Sequence, residues 1–409
     1  MDILYQTLGR LLKQGRLTIF DAGGRRHIIE ASGEPAVTIR LHNRTVPWKL
    51  ACNPHLYLGE AYMAGELTLE EGDIYDLLDL LTRSVGRGYG NRLFETIAAI
   101  RRRFRWLMQY NPVFRARRNV AHHYDLSDRL YDLFLDRDRQ YSCAYFEHPD
   151  DSLEMAQARK KDHIAAKLNL RPGQRVLDIG CGWGGLALHL SRVCDASVTG
   201  ITLSENQLEF ARNKAARQGL NEKVTFALQD YRKVDAVYDR IVSVGMFEHV
   251  GLPHYKRFFD QIHTMLADDG VALIHTIGRS EGPGATNAWI KKYIFPGGHI
   301  PALSEVVPVI ERAGFYITDI EILRLHYAQT LRAWRRRFNT NRARVQEFYD
   351  ERFCRMWEFY LAVSEVAFRN SGAVVFQIQI AKQQNAVPIT RRYITDRENR
   401  HGEYEEIAA

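Results

Sequence analysis

Cysteine is scarce in this chain, and none of it is paired. Cys52, Cys143, Cys181, Cys194 and Cys354 are scattered through 409 residues, with no C-x-x-C and no Cys/His spacing of a metal site. An odd, dispersed set fits reduced thiols in a cytoplasmic compartment better than a disulfide framework. Long apolar runs are missing too, since none approaches the roughly 20 residues that cross a bilayer. The opening "MDILYQTLGRLLKQGR" is amphipathic and lacks the apolar core of a signal peptide. A soluble chain, or one that attaches to a surface, is expected. The phosphate loop G-x-x-x-x-G-K-[ST] does not occur, which removes the P-loop nucleotide enzymes. There is no internal repeat. Acidic residues almost vanish in one place: between Asn91 and Arg118 stand eight arginines and a single acid, Glu95.

What the chain does have is alternation. From about residue 121, apolar runs that read as strands are separated by helical segments. They are "RVLDIG", "SVTGIT", "VTFALQ", "RIVSVG", "VALIHTIG", "YITDIEIL" and, beyond a helical insertion at about 328–370, "VVFQIQIA". Such a pattern predicts an α/β fold with a seven-stranded, mostly parallel sheet covered on both faces. Residues 1–90 mix a strand ("AVTIRL") with helix ("DIYDLLDLLTRSV") and read as a smaller α+β domain. Residues 91–120 form a basic amphipathic linker, 121–389 the main domain, and 390–409 a charged, loosely held tail.

The strongest local signal is "RVLDIGCGWGGLALHL". An apolar strand runs into Gly180, Gly182 and Gly184, and a helical pattern begins directly afterwards. Glycines in that position let the backbone approach a ligand, and the helix N-terminus offers free N–H groups. A dinucleotide site would want an acid at the end of the second strand. Here that strand ends "TGITLSENQ", offering Thr202 and Ser204, with Ser204 to Gln207 spaced as a helix-capping box. Asp178 can order the loop or meet a ligand's ammonium group, and Asp230 can accept from an adenine amino group. The pattern suits S-adenosylmethionine better than a nicotinamide cofactor.

Several further motifs stand in a fixed order: "HHYDLSDRLYDLFLD", "YSCAYF", "VLDIGCGWGGLA", "GITLSENQ", "VSVGMFEHVG", "LIHTIG", "WIKKYIFPGG" and "TLRAW". Over about 121–381 the chain resembles the cyclopropane-fatty-acyl-phospholipid synthases, with a weaker match in "LGEAYMAGELTLE". The resemblance implies a Rossmann-like class I methyltransferase fold. It also implies transfer of a methylene from S-adenosylmethionine to a cis double bond of a phospholipid acyl chain. By the same comparison a bound bicarbonate is the general base, held by Glu248, His275, Tyr327 and the Ile277 backbone near Cys143. Cofactor contacts carry over to Tyr141, Ser142, Gly180, Gly182, Thr202, Leu203, Gln207, Asp230 and Tyr231. His249 has no role in the family to carry over and is expected to be a core histidine satisfied by neighbouring backbone.

Such chemistry needs a dry, aligned site, because an alkene is a poor nucleophile. Methyl transfer leaves positive charge on the chain, which aromatic faces such as Tyr141, Tyr145, Phe146 or Phe247 can steady. A proton must then be lost from the new methyl group for a ring to close. Cys143 is not expected to act as a nucleophile. The arginine-rich stretch interleaves Ile97, Ile100, Phe104, Trp106 and Phe114, a composition suited to an anionic membrane. Arg101, Arg102, Arg103, Arg105, Trp106, Arg115, Arg117 and Arg118 are therefore expected to dock on the inner face of the membrane. Nucleic acid is not an expected partner, since the fourth strand ends in "MFEHVG" and not in Asn-Pro-Pro-aromatic. A homodimer is compatible with the sequence. Two rival readings keep the same fold: a branched-chain product from loss of a different proton, and a catalytically silent membrane-binding protein.

Overall fold

The computed structural model describes residues 1–85 and 127–398, so the basic linker expected to dock on membranes lies outside the described residues. The chain forms two compact units. Among the described residues, one comprises 1–85, 285–296 and 328–373, and the other 127–284, 297–327 and 374–398. This differs from the linear division at residue 121, because the helical insertion returns to the first unit.

Packing explains the return. The Glu351–Asn370 helix lies against the helices Pro54–Met63 and Ile74–Val85. Trp289, from the short helix Ala288–Tyr293, stacks edgewise on Phe359 at 4.6 Å and directs its indole N–H at Met63 Sδ, 3.2 Å away. Gly59 makes room: a Cβ there would lie 2.5 Å from Trp289 Nε1 and 2.7 Å from Phe359. The same unit carries a four-stranded sheet of β1 (Arg16–Phe20), β2 (Arg26–Glu30), β3 (Ala36–Leu41) and β4 (Leu67–Glu71), in the order β2-β1-β3-β4.

The second unit contains the seven strands expected from the alternation. They are β5 (Arg175–Ile179), β6 (Ser197–Thr202), β7 (Val224–Leu228), β8 (Tyr238–Val244), β9 (Leu266–Arg279), β10 (Tyr316–Leu323) and β11 (Ala373–Ala381). Their order is β10-β11-β9-β8-β5-β6-β7. The pairs β5–β6, β5–β8, β6–β7 and β8–β9 are parallel, while β10–β11 is antiparallel. Successive residues of a buried strand point to opposite faces, so each strand feeds two cores. Leu177, Ile241 and Ile274 join Phe258, Phe259 and Phe376 on one face. Val176, Val242 and Leu273 join Leu188, Val198 and Ala211 on the other.

Strand order runs outward from β5 through β6 to β7 and, in the other direction, through β8 to β9. This reversal opens a crevice beyond the carboxyl ends of β5 and β8, where ligands of open α/β sheets bind. The tail departs from expectation. Residues 392–398 are helical, Ile394 is buried, and the Tyr393 hydroxyl accepts from Gln379 Nε2 at 2.7 Å. Arg397 also donates to the Leu170 carbonyl, and Glu398 meets His163. An aromatic and a β-branched residue at the start of the tail suffice to dock it.

Candidate active site

The glycine loop is built by conformation. Gly180, Gly182 and Gly184 all have positive φ (84°, 54° and 82°), a region costly for other residues. The Gly180 and Cys181 N–H groups both donate to the Ile201 carbonyl, at 2.9 and 3.0 Å, which pins the loop to β6. The glycines nevertheless serve different ends. A Cβ on Gly182 would meet nothing within 4 Å and would project into open space, as would one on Gly245. A Cβ on Gly184 would lie 2.6 Å from Phe226 and 2.9 Å from Ala211. Gly184 is thus a packing glycine at the start of the Gly185–Cys194 helix and does not line the cavity.

One cavity gathers the rest of the expected cofactor residues. Its walls include Tyr141, Ser142, Asp178, Gly180, Gly182, Thr202, Leu203, Gln207, Asp230 and Tyr231. Ser204 caps the following helix by accepting from Gln207 N. The reciprocal half of the capping box is absent: Gln207 Oε1 instead takes the Thr202 hydroxyl at 2.9 Å, which keeps both side chains at the wall. Asp230 is clasped by Arg232 through three hydrogen bonds of 2.6–3.0 Å. Burial pushes its carboxyl up, but the Arg232 bonds outweigh this and hold it below the usual range. Asp178 is the opposite case. It is buried, its Oδ2 has no hydrogen-bond partner, and burial raises its pKa to about 7 against the charge of Lys160. An orphaned oxygen on a residue that lines the cavity suits a ligand that brings a cationic donor.

The turn after β8 resolves the "FEHVG" segment. Phe247–His249 is a single 3₁₀ turn, in which successive side chains leave about 120° apart. Phe247 enters the core against Tyr255, Phe258 and Phe259. Glu248 turns to β9, where its Oε1 accepts from Ile277 N at 2.6 Å. His249 faces the cavity, so it is not the core histidine expected. Burial lowers its pKa to about 4, and its imidazole is neutral near pH 7. Neither Phe247 nor Tyr145 lines the cavity, the latter being sandwiched between His163 and His326 at 4.3 and 4.9 Å.

The residues expected for proton removal lie outside the cavity wall; Glu248, His275, Tyr327 and Cys143 are buried and Ile277 is half-buried. Burial lifts the Glu248 carboxyl to about 7 despite the Ile277 N–H, and Oε2 is left with no hydrogen-bond partner. His275 lies on β9 opposite Val244. Gln377 Nε2 donates to its Nδ1 at 3.1 Å, which leaves a proton on Nε2, and burial holds the ring uncharged. Burial thus disfavours the charged form of both Glu248 and His275. Tyr327 is buried in the first turn of the His326–Thr340 helix, and the adjacent His326 Nδ1 accepts from Phe146 N at 3.0 Å. Cys143 is buried with its thiol on the Ala144 carbonyl, 3.3 Å away.

Sequence reasoning missed Arg139, Gln140, Trp183, Met246 and Arg232, which also line the cavity. Arg139 and Gln140 directly precede "YSC", the one signal that could have drawn attention to them. Arg139 binds Asp128 and Asp132 and stacks over Phe210.

The family model of mycolic acid cyclopropane synthetase matches residues 113–378. The chain belongs to that family. It is accordingly an S-adenosylmethionine-dependent methyltransferase. The mycolic acid cyclopropane synthase CmaA1, solved in complex with SAH and CTAB, superposes with a TM-score of 0.62 at 35% identity, over 66% of this chain and 99% of that one. The cyclopropane-fatty-acyl-phospholipid synthase of Escherichia coli strain K12 is 35% identical over 364 residues, 89% of this chain and 93% of the relative. A probable fatty acid methyltransferase of Pseudomonas putida is 40% identical over 271 residues, 64% of this chain and 68% of that protein. In this cyclopropane synthetase family member, the open glycines and the orphaned Asp178 oxygen fit S-adenosylmethionine, which supplies an electrophilic methyl group. Among the described residues, no helix is long and apolar enough to cross a membrane.

Two outcomes are expected. Gly182→Val should abolish S-adenosylmethionine binding in calorimetry while costing only the roughly 1–2 kcal/mol of a left-handed residue in urea unfolding. Gly184→Val should instead lose about 1–3 kcal/mol or more of stability by overpacking. Normal affinity in a folded Gly182→Val protein would contradict this division of labour.

The second outcome concerns pH. Glu248 keeps a proton in the native state between about 4.5 and 7, where an unfolded glutamate has released it. The native state then binds more protons than the unfolded one, so stability falls as pH rises through that window. Asp178 acts in the same direction from 3.8 to about 7. Unfolding free energy of the ligand-free protein should decline between about pH 5 and pH 7.5, and less steeply in Glu248→Gln. Equal slopes in the two proteins would rule out a proton on Glu248.

Proposed function

We propose that this enzyme adds a methylene derived from S-adenosylmethionine across the cis double bond of unsaturated phospholipid acyl chains, forming a cyclopropane ring. Bicarbonate, seated beside Glu248, is the base. The observation that carries this reading is the buried, partnerless Oε2 of Glu248, whose carboxyl burial lifts to about 7. A protonated carboxyl donates to an anion where an ionised one would repel it. His275 Nε2–H and the Tyr327 hydroxyl are assigned to the same anion. The Ile277 N–H, given this contact by the family comparison, already serves Glu248 and so acts through it. A small anion fits an apolar site where a mobile carboxylate side chain is hard to place, and it can take the proton that ring closure releases. Kinship with the Escherichia coli synthase over most of both chains supports the phospholipid substrate.

A second reading has the methyl transferred to the same double bond and a different proton lost, leaving a branched chain. The Pseudomonas putida relative, named a probable fatty acid methyltransferase, favours it. Location of the base relative to the chain decides between the two.

Because the double bond lies within the hydrocarbon layer, the enzyme must meet a membrane. We assign docking to the basic, aromatic stretch at 101–118, on the cytoplasmic face, and an accessory lipid-presenting role to the N-terminal region. Basic residues near anionic headgroups each contribute about 1 kcal/mol, and salt screens them.

Glu248→Gln and Tyr327→Phe should reduce turnover roughly 10²–10⁴-fold while leaving cofactor affinity intact. Bicarbonate depletion should slow the wild type, and its return should restore the rate. Near-normal turnover in both variants, without any bicarbonate dependence, would sink the mechanism. Cys143→Ser should retain measurable activity.

Replacing Arg101, Arg102 and Arg103 together by alanine should lower binding to anionic vesicles and activity on them in parallel, with unchanged cofactor affinity. If vesicle binding ignores both this change and added salt, docking belongs to another surface.

A further inference from the structure

One buried cation has no task in the chemistry above. Lys160 lies in the Leu153–Lys167 helix with none of its surface exposed. Its neighbours Lys161 and Lys167 pair with carboxylates of Asp138, Asp319 and Glu321. Lys160 does not. Among the described residues its ammonium has two hydrogen-bond partners, both neutral: Gln140 Oε1 at 2.6 Å and Ser142 Oγ at 2.9 Å. Carboxylates act on it only at a distance, and a buried ammonium with no direct ion pair is costly, which argues for a use.

Loop support is not that use, because another residue supplies it. Gln157, one turn earlier, donates from Nε2 to the carbonyls of Gln140 and Ser142 at 3.2 and 3.0 Å. Lys160 acts on the side chains instead. A serine hydroxyl that accepts from an ammonium has its own proton free to donate elsewhere. An amide that gives its oxygen to the ammonium presents its NH₂ on the other side. Both residues line the cofactor cavity. Gln140 Nε2 also lies against the first residue of the Gly185–Cys194 helix, only 2.4 Å from where a Cβ of Gly185 would stand. Free N–H groups and the positive end of that helix gather there. The cations that line the cavity themselves are committed, Arg139 to Asp128 and Asp132, Arg232 to Asp230.

We propose that Lys160 is a positioning residue which, by holding the acceptor atoms of Gln140 and Ser142, turns their donor ends to the cavity and makes this wall the seat of a carboxylate-type oxyanion. Two sources present that chemistry. One is the amino-acid carboxylate of S-adenosylmethionine; the other is bicarbonate, a choice that rests on the base assigned above. The charges of Asp136, Asp138, Cys143 and Lys161 act on the ammonium, and Asp178 and His275 feel its own. Burial, with Lys161 beside it, lowers its pKa to about 8.

Calorimetry with two nucleosides tests this without turnover. S-adenosylhomocysteine carries the carboxylate, whereas 5′-methylthioadenosine keeps the adenosine and sulfur but lacks it. Lys160→Met should weaken S-adenosylhomocysteine about tenfold or more and leave 5′-methylthioadenosine within about twofold, with Lys160→Arg recovering most of the loss. Wild-type affinity for S-adenosylhomocysteine should fall as pH rises past about 8, a decline missing from Lys160→Met. If the anion is bicarbonate, S-adenosylhomocysteine binding survives in Lys160→Met, and the thermal stabilisation that bicarbonate gives the wild type is what disappears. Equal weakening of both nucleosides, with the bicarbonate response intact, would reduce Lys160 to a structural role and overturn the proposal. Wild-type behaviour of Lys160→Met toward all three ligands would overturn it as well.

Discussion

The hydrogen bond from Ile277 N to Glu248 Oε1, 2.6 Å long, ties the end of β8 to the end of β9. With Glu248 drawn to β9, the geometry of a 3₁₀ turn sends Phe247 into the core and His249 to the cavity. The Glu248 carbonyl extends the tie by accepting from His299 N at 3.0 Å. The reversal of strand order at β5 and β8 provides the crevice, the ends of β5 and β6 line the cofactor cavity, and Glu248, His275 and Cys143 are buried outside its wall.

Burial then sets the charge states. Asp178 and Glu248 are both lifted to about 7, His249 falls to about 4, and His275 is held neutral. Lys160 is the counterweight, lowered to about 8 and still largely charged near neutrality. A site with so few fixed charges suits chemistry in which a cationic methyl donor reacts with an apolar chain, since stray charges would be poorly solvated there. The buried groups that remain ionisable near pH 7 are those a ligand can satisfy. That same economy costs stability, because Asp178 and Glu248 favour the native state least where they would most readily ionise.

Much of this was legible in the sequence. Seven apolar runs of strand length each became a strand; the parallel strands β5, β6 and β8 were the plainest, because burial on both faces leaves a strong local signal, while β10 is half-exposed and pairs antiparallel with β11. The glycine loop and most of its cofactor residues were legible for a similar reason: strand, loop and helix are contiguous. Other features were hidden because their causes are not local. That 328–373 packs with the N-terminal unit depends on Trp289, Gly59 and Phe359, far apart in sequence. Lys160 sits in "ARKKDHIAAK", where charge reads as solvated surface, yet the helix is buried on nearly every side. Gly184 looks like its neighbours, and only Phe226 and Ala211 reveal it as a packing residue. His249 carried no family role and read as a satisfied core histidine, and only the 3₁₀ turn, which sets successive side chains about 120° apart, turns it to the cavity.

Chemical identity of the product bears most directly on the central claim, that a base beside Glu248 removes a proton from a newly transferred methyl group. The enzyme would be incubated with vesicles of cis-unsaturated phospholipid and S-adenosylmethionine carrying a ¹³C-labelled methyl group, and the lipid examined by NMR. A labelled ring CH₂ between two former alkene carbons, formed only when bicarbonate is present, is the result expected. A labelled branch that keeps an intact methyl group, or product formation indifferent to bicarbonate, would contradict it.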